Sequence, residues 1–169
     1  MSLDLRNFKP RNWGIIAAVL ALIADQGSKF YLLYGAGFAH MGPGQSVPVL
    51  PFFNLVMVWN PGISYGLFPA SSWIGTAVLV VFSVGAVIGL SWWLWGLTSL
   101  SLGIGIGMVI GGALGNLIDR LVYGRVADFF HFYGFGYDWY VFNIADTAIT
   151  LGAIAIVYEV LKPEHLNQP

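Results

Sequence analysis

The sequence Gly103-Ile-Gly-Ile-Gly107-Met-Val-Ile-Gly111-Gly-Ala-Leu-Gly115-Asn-Leu-Ile-Asp-Arg120 is an apolar segment that has a glycine at every fourth position and ends in polar residues. Glycines at this spacing form a row without side chains on one helix face, which lets a second helix approach closely inside a membrane. Asn116, Asp119 and Arg120 lie on the last turns of the same predicted helix. Because each ionised group held in hydrocarbon costs roughly 2.5–3.5 kcal/mol or more, this polar cluster is by default a functional site.

The chain as a whole has the composition of an integral membrane protein. Of its 169 residues, 57% are hydrophobic and 9% are charged, and the mean hydropathy is +0.75. This is enough apolar sequence for several spans of about 20 residues each, so we expect a single membrane domain over residues 1–169. Cysteine is absent and the net charge is −1, which excludes a thiol nucleophile and argues against a nucleic-acid partner.

Four apolar segments are predicted to span the membrane, at about 13–34, 73–93, 99–120 and 141–161. The predicted fold class is all-α, with a small extracytoplasmic β-rich segment within residues 35–71 and an interfacial aromatic stretch within residues 121–140. The long loop after the first span has no Lys or Arg, whereas basic residues flank both ends of the chain: Arg6, Lys9, Arg11 and Lys162. Both termini are therefore predicted to be cytoplasmic.

Polar residues from three predicted spans are expected to meet near the outer face of the membrane. At about 1.5 Å per residue, Lys29, Asn116 and Asp146 each lie on the order of 6–8 Å below that face, and Asp25 lies about one turn deeper. Asp128 lies on the connection that returns to the fourth span. Asp25 and Lys29 are four residues apart on one helix face and can form an ion pair, which by itself would explain why the membrane tolerates them.

Part of this cluster also has a purely structural interpretation. Asn143 and Asp146 can cap the first turn of the fourth helix, and Asp119 can pair with Arg120. That interpretation leaves Asp25 and Asp128 without a role.

Two carboxylates brought together in a low dielectric favour aspartyl-protease chemistry. They cannot both ionise cheaply, so one keeps a proton while the other acts as a base on water. This chemistry needs no thiol, metal or other cofactor. His131 has no second histidine nearby and no Glu or Cys at ligand spacing, so we expect no metal site. The spacing alone does not decide which two acids form the pair.

Two other functional classes, a transporter and a membrane scaffold, are less consistent with this sequence than a protease. A small transporter or proton channel would also place acids along its helices, but its polar path should continue to the cytoplasmic side. The inner halves of the second, third and fourth spans have almost no ionisable residue before Glu159, which favours a closed pocket. A membrane scaffold is disfavoured by the energetic cost of the buried acids.

The polar motifs of this chain resemble, in order, those of the bacterial lipoprotein signal peptidases (signal peptidase II). The resemblance covers nearly the whole chain and rests on five motifs: Asp25-Gln-Gly-Ser-Lys29, Asn60-Pro-Gly62, Gly111-Gly-Ala-Leu-Gly-Asn-Leu-Ile-Asp-Arg120, Gly124-Arg-Val-Ala-Asp128-Phe and Phe142-Asn-Ile-Ala-Asp146. The chain departs from the family at Ser64-Tyr65, where Ala-Phe is more usual.

The resemblance implies an aspartic endopeptidase of the bacterial inner membrane that uses no metal and no cofactor. The family removes the signal peptide of diacylglyceryl-modified prolipoproteins, cutting before the lipidated cysteine, and is the target of globomycin-type cyclic peptides. The implied catalytic pair is Asp128 and Asp146. The implied lining and supporting residues are Asn60, Asn116, Arg120, Asn143, Asp25, Lys29 and Asp119. The expected partners are the prolipoprotein and membrane lipids, and we expect a monomer with its active site near the outer face.

Overall fold

The computed structural model describes residues 8–42, 44–62 and 73–162, which form four α-helices and a four-stranded antiparallel sheet. The helices are α1 (Pro10–Phe30), α2 (Trp73–Trp95), α3 (Leu100–Tyr123) and α4 (Ile144–Val160), with a π-helical turn at Tyr31–Gly35 and a 3-10 turn at Phe38–His40. The strands are β1 (Ser46–Leu50), β2 (Phe53–Asn60), β3 (Val126–Gly134) and β4 (Tyr137–Asp138), and they lie in chain order across the sheet. Arg6 and the Ser64-Tyr65 departure lie outside the described residues.

Three of the described helices are long and apolar enough to cross a membrane: Pro10–Gly35, Trp73–Trp95 and Leu100–Tyr123. Most apolar side chains of α2, such as Val81, Phe82 and Ile88, are exposed on the protein surface. Such a surface is stable only against another apolar phase, because exposed apolar area on this scale is unfavourable in water. The fold is therefore a helical membrane bundle with a small sheet attached to one end.

The glycine row of α3 packs against α1, as its spacing predicts. A Cβ atom added to Gly107 would fall on the carbonyl oxygen of Gly14, and one added to Gly111 would fall on that of Ala18. The two backbones are thus in direct contact. This approach brings the polar residues at the outer ends of α1 and α3 within hydrogen-bonding reach of each other.

A second set of glycines, which we did not predict as a row, packs α3 against α4. A Cβ atom on Gly105 would meet the carbonyl oxygen of Gly152, and one on Gly112 would meet that of Ala145. Helix α3 is consequently the centre of the bundle, with α1 on one face and α4 on another.

We expect Gly107→Ala to destabilise the protein by about 1–3 kcal/mol, because the added methyl group forces the α1 and α3 backbones apart. Gly89→Ala in α2 is the matched control, since a Cβ atom there meets nothing within 4 Å. It should leave the melting temperature unchanged or raise it slightly, because alanine favours helix more than glycine does. Thermal unfolding of both variants in the same detergent tests this; equal melting temperatures would contradict close α1–α3 packing.

The structure corrects predicted ends of all four helices, and α2 continues past Trp93 to Trp95. Helix α1 begins at Pro10, whose ring suits the first helical position, and passes into the π-helical turn at Tyr31. Helix α3 continues past Arg120 to Tyr123 and ends where Gly124 adopts a left-handed conformation with φ 73°. Helix α4 begins at Ile144 rather than Val141, because Asn143 caps it and the residue before Asn143 is held in a β-bridge.

The stretch between α3 and α4 is also different from the prediction. An interfacial aromatic stretch without strands was predicted here, but most of it forms β3 and β4, and β3 pairs with β2 from Phe53 opposite Phe132 to Asn60 opposite Val126. Backbone hydrogen bonds between two segments distant in sequence stabilise these strands. Asp128 lies on the connection to α4, as predicted, and this part of the connection is a strand in which Val58 is its cross-strand partner.

Candidate active site

Two carboxylates, those of Asp128 and Asp146, lie where the sheet meets the helices. Asp128 is 1% exposed; its Oδ1 accepts a hydrogen bond of 2.6 Å from Asn143 Nδ2 and its Oδ2 one of 3.0 Å from Asn60 Nδ2. Asp146 lies in the first turn of α4, and its Oδ1 accepts a 2.8 Å hydrogen bond from Asn116 Nδ2. Each acid is thus held by side-chain amides from other elements of the fold.

Asn143 joins the two acids. Its Oδ1 accepts a hydrogen bond from the Asp146 backbone N–H at 2.9 Å, and its own N–H donates to Asp146 Oδ2 at 3.2 Å, which is a reciprocal capping box. The Asn143 side-chain amide meanwhile donates to Asp128. Helix capping and site formation are therefore not alternatives, because the same residue does both.

The surroundings of Asp128 favour its protonated form. Burial, reinforced by the negative charge of nearby Asp146, raises the pKa of Asp128 to about 7, although hydrogen bonds from Asn60 and Asn143 act in the opposite direction. Near neutral pH this carboxyl group is therefore partly protonated while a second carboxylate lies beside it. This is the arrangement that general acid–base catalysis by two acids requires.

Lys29 organises the polar residues behind the two acids. Its ammonium group donates to Asp25 Oδ2 at 2.9 Å, to Asp119 Oδ2 at 2.8 Å and to Asn116 Oδ1 at 3.2 Å, which uses all three of its protons. The Asp25–Lys29 pair expected from the sequence is present. Asp119 pairs with Lys29 of α1 rather than with its neighbour Arg120, because adjacent residues of a helix point about 100° apart.

The two acids paired with Lys29 also bind the backbone next to the candidate catalytic residues. Asp25 Oδ1 accepts a 2.9 Å hydrogen bond from the N–H of Ala145, and Asp119 Oδ2 accepts one of 3.0 Å from the N–H of Ala127. Ala145 and Ala127 immediately precede Asp146 and Asp128. Asp25 thus fixes the backbone next to Asp146, and Asp119 fixes the backbone next to Asp128.

Gln26 is a site residue that the sequence analysis missed. Its side-chain amide nitrogen lies 3.1 Å from Asp25 Oδ2, 3.0 Å from Asp119 Oδ1 and 3.2 Å from the carbonyl oxygen of Gly115, and its two protons are shared among these three acceptors. Its position between Asp25 and Lys29 in the sequence was the available signal. Gly115 is also required here, since a Cβ atom at this position would collide with the Asp25 carboxylate.

Arg120 faces the two acids from α3. Its Nη1 donates to the Asn116 carbonyl oxygen at 3.2 Å, its charge interacts with Asp146 and Asp128, and its buried Nε has no hydrogen-bond partner. A cavity of about 250 Å³ opens at this point, and Asn60, Asn116, Arg120, Tyr140 and Asp146 line it. The cavity therefore offers donors and acceptors to a polar ligand directly beside a carboxylate. Among the described residues, no group of three or more His, Cys, Asp or Glu side chains could hold a metal ion.

The chain is similar in sequence to known bacterial membrane proteases. The family model described as signal peptidase (SPase) II matches residues 17–162. The lipoprotein signal peptidase of Nitrobacter hamburgensis is 48% identical over 154 residues, covering 89% of this chain and 92% of that protein. The one from Methylobacterium radiotolerans is 45% identical, covering 92% of this chain and 89% of that protein.

Solved structures show the same fold. A bacterial membrane enzyme determined by the in meso method at 2.3 Å resolution superimposes with a TM-score of 0.79 and 30% identity, covering 93% of this chain and 92% of that one. A second, described in the same words at 1.9 Å resolution, has a TM-score of 0.76 and 32% identity, covering 90% of this chain and 94% of that one.

Proposed function

Because the chain belongs to the signal peptidase II family, we propose that Asp128 and Asp146 are the catalytic dyad with which it removes signal peptides from diacylglyceryl-modified prolipoproteins. The family consists of proteases that act on lipoprotein precursors. The observation that carries the assignment of the dyad is the bridge made by Asn143, whose side-chain amide donates to Asp128 Oδ1 and whose backbone N–H donates to Asp146 Oδ2. Asp146 in turn lines the polar cavity.

In the proposed reaction, one carboxylate of the dyad is ionised and takes a proton from water, while the other is protonated and polarises the scissile carbonyl. The water oxygen bonds to the carbonyl carbon, the peptide C–N bond breaks, and the departing amine of the lipidated cysteine takes up the proton. The side chains of Asn60 and Arg120 line the cavity, where their amide and guanidinium groups can hold the substrate backbone. One chain supplies all these groups, so a monomer suffices.

We expect a bell-shaped pH profile, because only the state with one shared proton is active. Activity should fall as the pH rises through about 7, where Asp128 loses its proton, and should fall again in acid when both carboxyl groups are protonated. Asn60→Leu removes a donor that stabilises ionised Asp128, so it should raise the pKa of Asp128 and move the alkaline limb to higher pH.

Asn54→Leu, at the other end of the same strand β2, is the control for the Asn60 variant and should leave the limb in place. The measurement is kcat/KM for a lipidated peptide between pH 4 and pH 9. An alkaline limb that shifts downward in Asn60→Leu, or that is absent from the wild type, would contradict the assigned role of Asp128.

We further propose that α4 is a fourth span and that the active site faces the outer side of the inner membrane. Helix α4 has 17 residues, the lower end of the range of about 17–25 that a span requires, and it exposes Leu151, Ile154 and Val157. Four spans place both termini on one side, and the basic residues at the chain ends favour the cytoplasm.

This topology predicts the behaviour of reporter fusions. A reporter active only outside the cytoplasm should be active when fused after residue 60 and inactive when fused after Lys162. A reporter active only inside should show the reverse pattern. Outside activity after Lys162, with none after residue 60, would contradict the orientation.

The transporter alternative receives no support from the opposite end of the bundle. There Glu159 accepts hydrogen bonds from Ser99 Oγ at 2.6 Å, Ser101 Oγ at 2.5 Å and Lys162 Nζ at 2.6 Å. These contacts connect α4 to the first turn of α3. Between this cluster and Asp25, the α1–α3 contact is made by glycine backbone, for example Gly14 against Gly107, which leaves little room for a polar path.

A further inference from the structure

An apolar groove runs along the bundle between α1 and α4, with α3 as its floor. It has a volume of about 390 Å³, and its walls include Ala17, Leu20, Ile104, Met108, Thr147 and Leu151. Thr147 is the polar member of this wall, and its hydroxyl donates to the Asn143 carbonyl oxygen at 3.1 Å within its own helix. Because the Thr147 hydroxyl is already hydrogen-bonded within α4, the surface of the groove is effectively apolar.

The groove is continuous with the candidate active site. Thr147 and Leu151 also line a second cavity, of about 220 Å³, whose wall includes the Asp146 carboxylate. A flexible apolar ligand that lies in the groove can thus extend to the carboxylate without leaving the protein surface. The polar cavity containing Asn60 and Arg120 also reaches Asp146.

These two approaches to Asp146 differ in chemistry, and the two parts of the substrate differ in the same way. A peptide backbone in a water-poor site needs partners for its N–H and C=O groups, which Asn60 and Arg120 can provide. An acyl chain has no such groups and gains free energy from burial against apolar side chains. The α1–α4 groove suits the acyl chain.

We propose that the α1–α4 groove binds an acyl chain of the substrate's diacylglyceryl cysteine, while the peptide occupies the polar cavity. The inference rests on the proposed function and adds to it the site that recognises the lipid. The path from the candidate active site to the far end of the groove is long enough for such a chain. From the level of Asn116 to Ile104, α3 rises about 18 Å, and the acyl chains of one leaflet fill half of a core about 30 Å thick.

The test compares two substrates that differ only in their acyl chains, a peptide with dipalmitoylglyceryl cysteine and the same peptide with diacetylglyceryl cysteine. Ala17→Phe fills the groove, so it should lower kcat/KM for the long-chain substrate about tenfold, as expected if roughly two methylene groups lose their burial. It should leave kcat/KM for the short-chain substrate unchanged. Val19→Phe, on the lipid-exposed side of α1, is the matched control and should change neither value.

Leu151→Phe on the opposite wall provides a second variant in case Ala17→Phe fails to fold. The proposal is overturned if both folded groove variants keep the wild-type ratio of long-chain to short-chain kcat/KM, or lose activity on both substrates equally. A phospholipid as occupant would give the first of these results, together with an altered dependence of the melting temperature on added lipid. Failure of the catalytic assignment is distinguishable, because it would appear as cleavage of both substrates by Asp128→Asn.

Discussion

Asp128→Asn and Asp146→Asn are each expected to lower kcat by roughly 10⁴-fold, the upper end of the range for general acid–base catalysis, while leaving the protein folded and able to bind substrate. Asparagine keeps the size of the side chain and one of its two acceptor oxygens but cannot exchange the shared proton. Turnover of a lipidated peptide, measured beside binding of the same peptide, separates loss of chemistry from loss of binding.

The control for these variants is Asp138→Asn on β4, whose side chain is 81% exposed and lies outside the polar network around Lys29. It should keep wild-type activity. The double variant of Asp128 and Asp146 should be scarcely slower than either single variant, because residues that act as a unit are not additive. Losses that multiply in the double variant would show that the two acids act independently.

Lys29→Met is expected to cost about 3–5 kcal/mol of stability, because it leaves two buried carboxylates without their counter-charge. Both acids are at most 1% exposed, so water cannot replace the ammonium group. The measurement is the unfolding midpoint in detergent. Lys9→Met, at an exposed position before α1, is the control and should leave the midpoint unchanged.

The effect of the Lys29 charge on stability can be separated from the effect of its side-chain packing. Adding Asp25→Asn and Asp119→Asn to Lys29→Met removes the unpaired charges, so the triple variant should recover part of the lost stability. An unchanged midpoint in Lys29→Met, or a further large loss in the triple variant, would contradict a role for Lys29 as the shared counter-ion.

Much of this architecture could be predicted because the membrane constrains it. A glycine at every fourth position of α3 predicts close packing with another helix, and α1 occupies that face. Depth along each helix follows from the rise per residue, so Lys29, Asn116 and Asp146 could be placed at one level, and hydrogen bonds now join them.

The remaining features depend on contacts that no local pattern encodes. The pairing of β3 with β2 brings Asp128 beside Asn60, and such pairing is decided by tertiary structure rather than by the aromatic composition of the segment. The contact of Gly112 with α4 was missed because the row facing α1 dominated the spacing. Gln26 was missed because an uncharged residue costs less in a membrane and gives a weaker signal.

The most direct test of the dyad is mass spectrometry of the products after the purified protein meets a diacylglyceryl-modified prolipoprotein in detergent, with a metal chelator present. The wild type is expected to yield a shortened protein that begins at the lipidated cysteine, and folded Asp128→Asn is expected to yield none. Substantial product from Asp128→Asn, or wild-type activity abolished by the chelator and restored by added metal, would contradict a catalytic pair formed by Asp128 and Asp146.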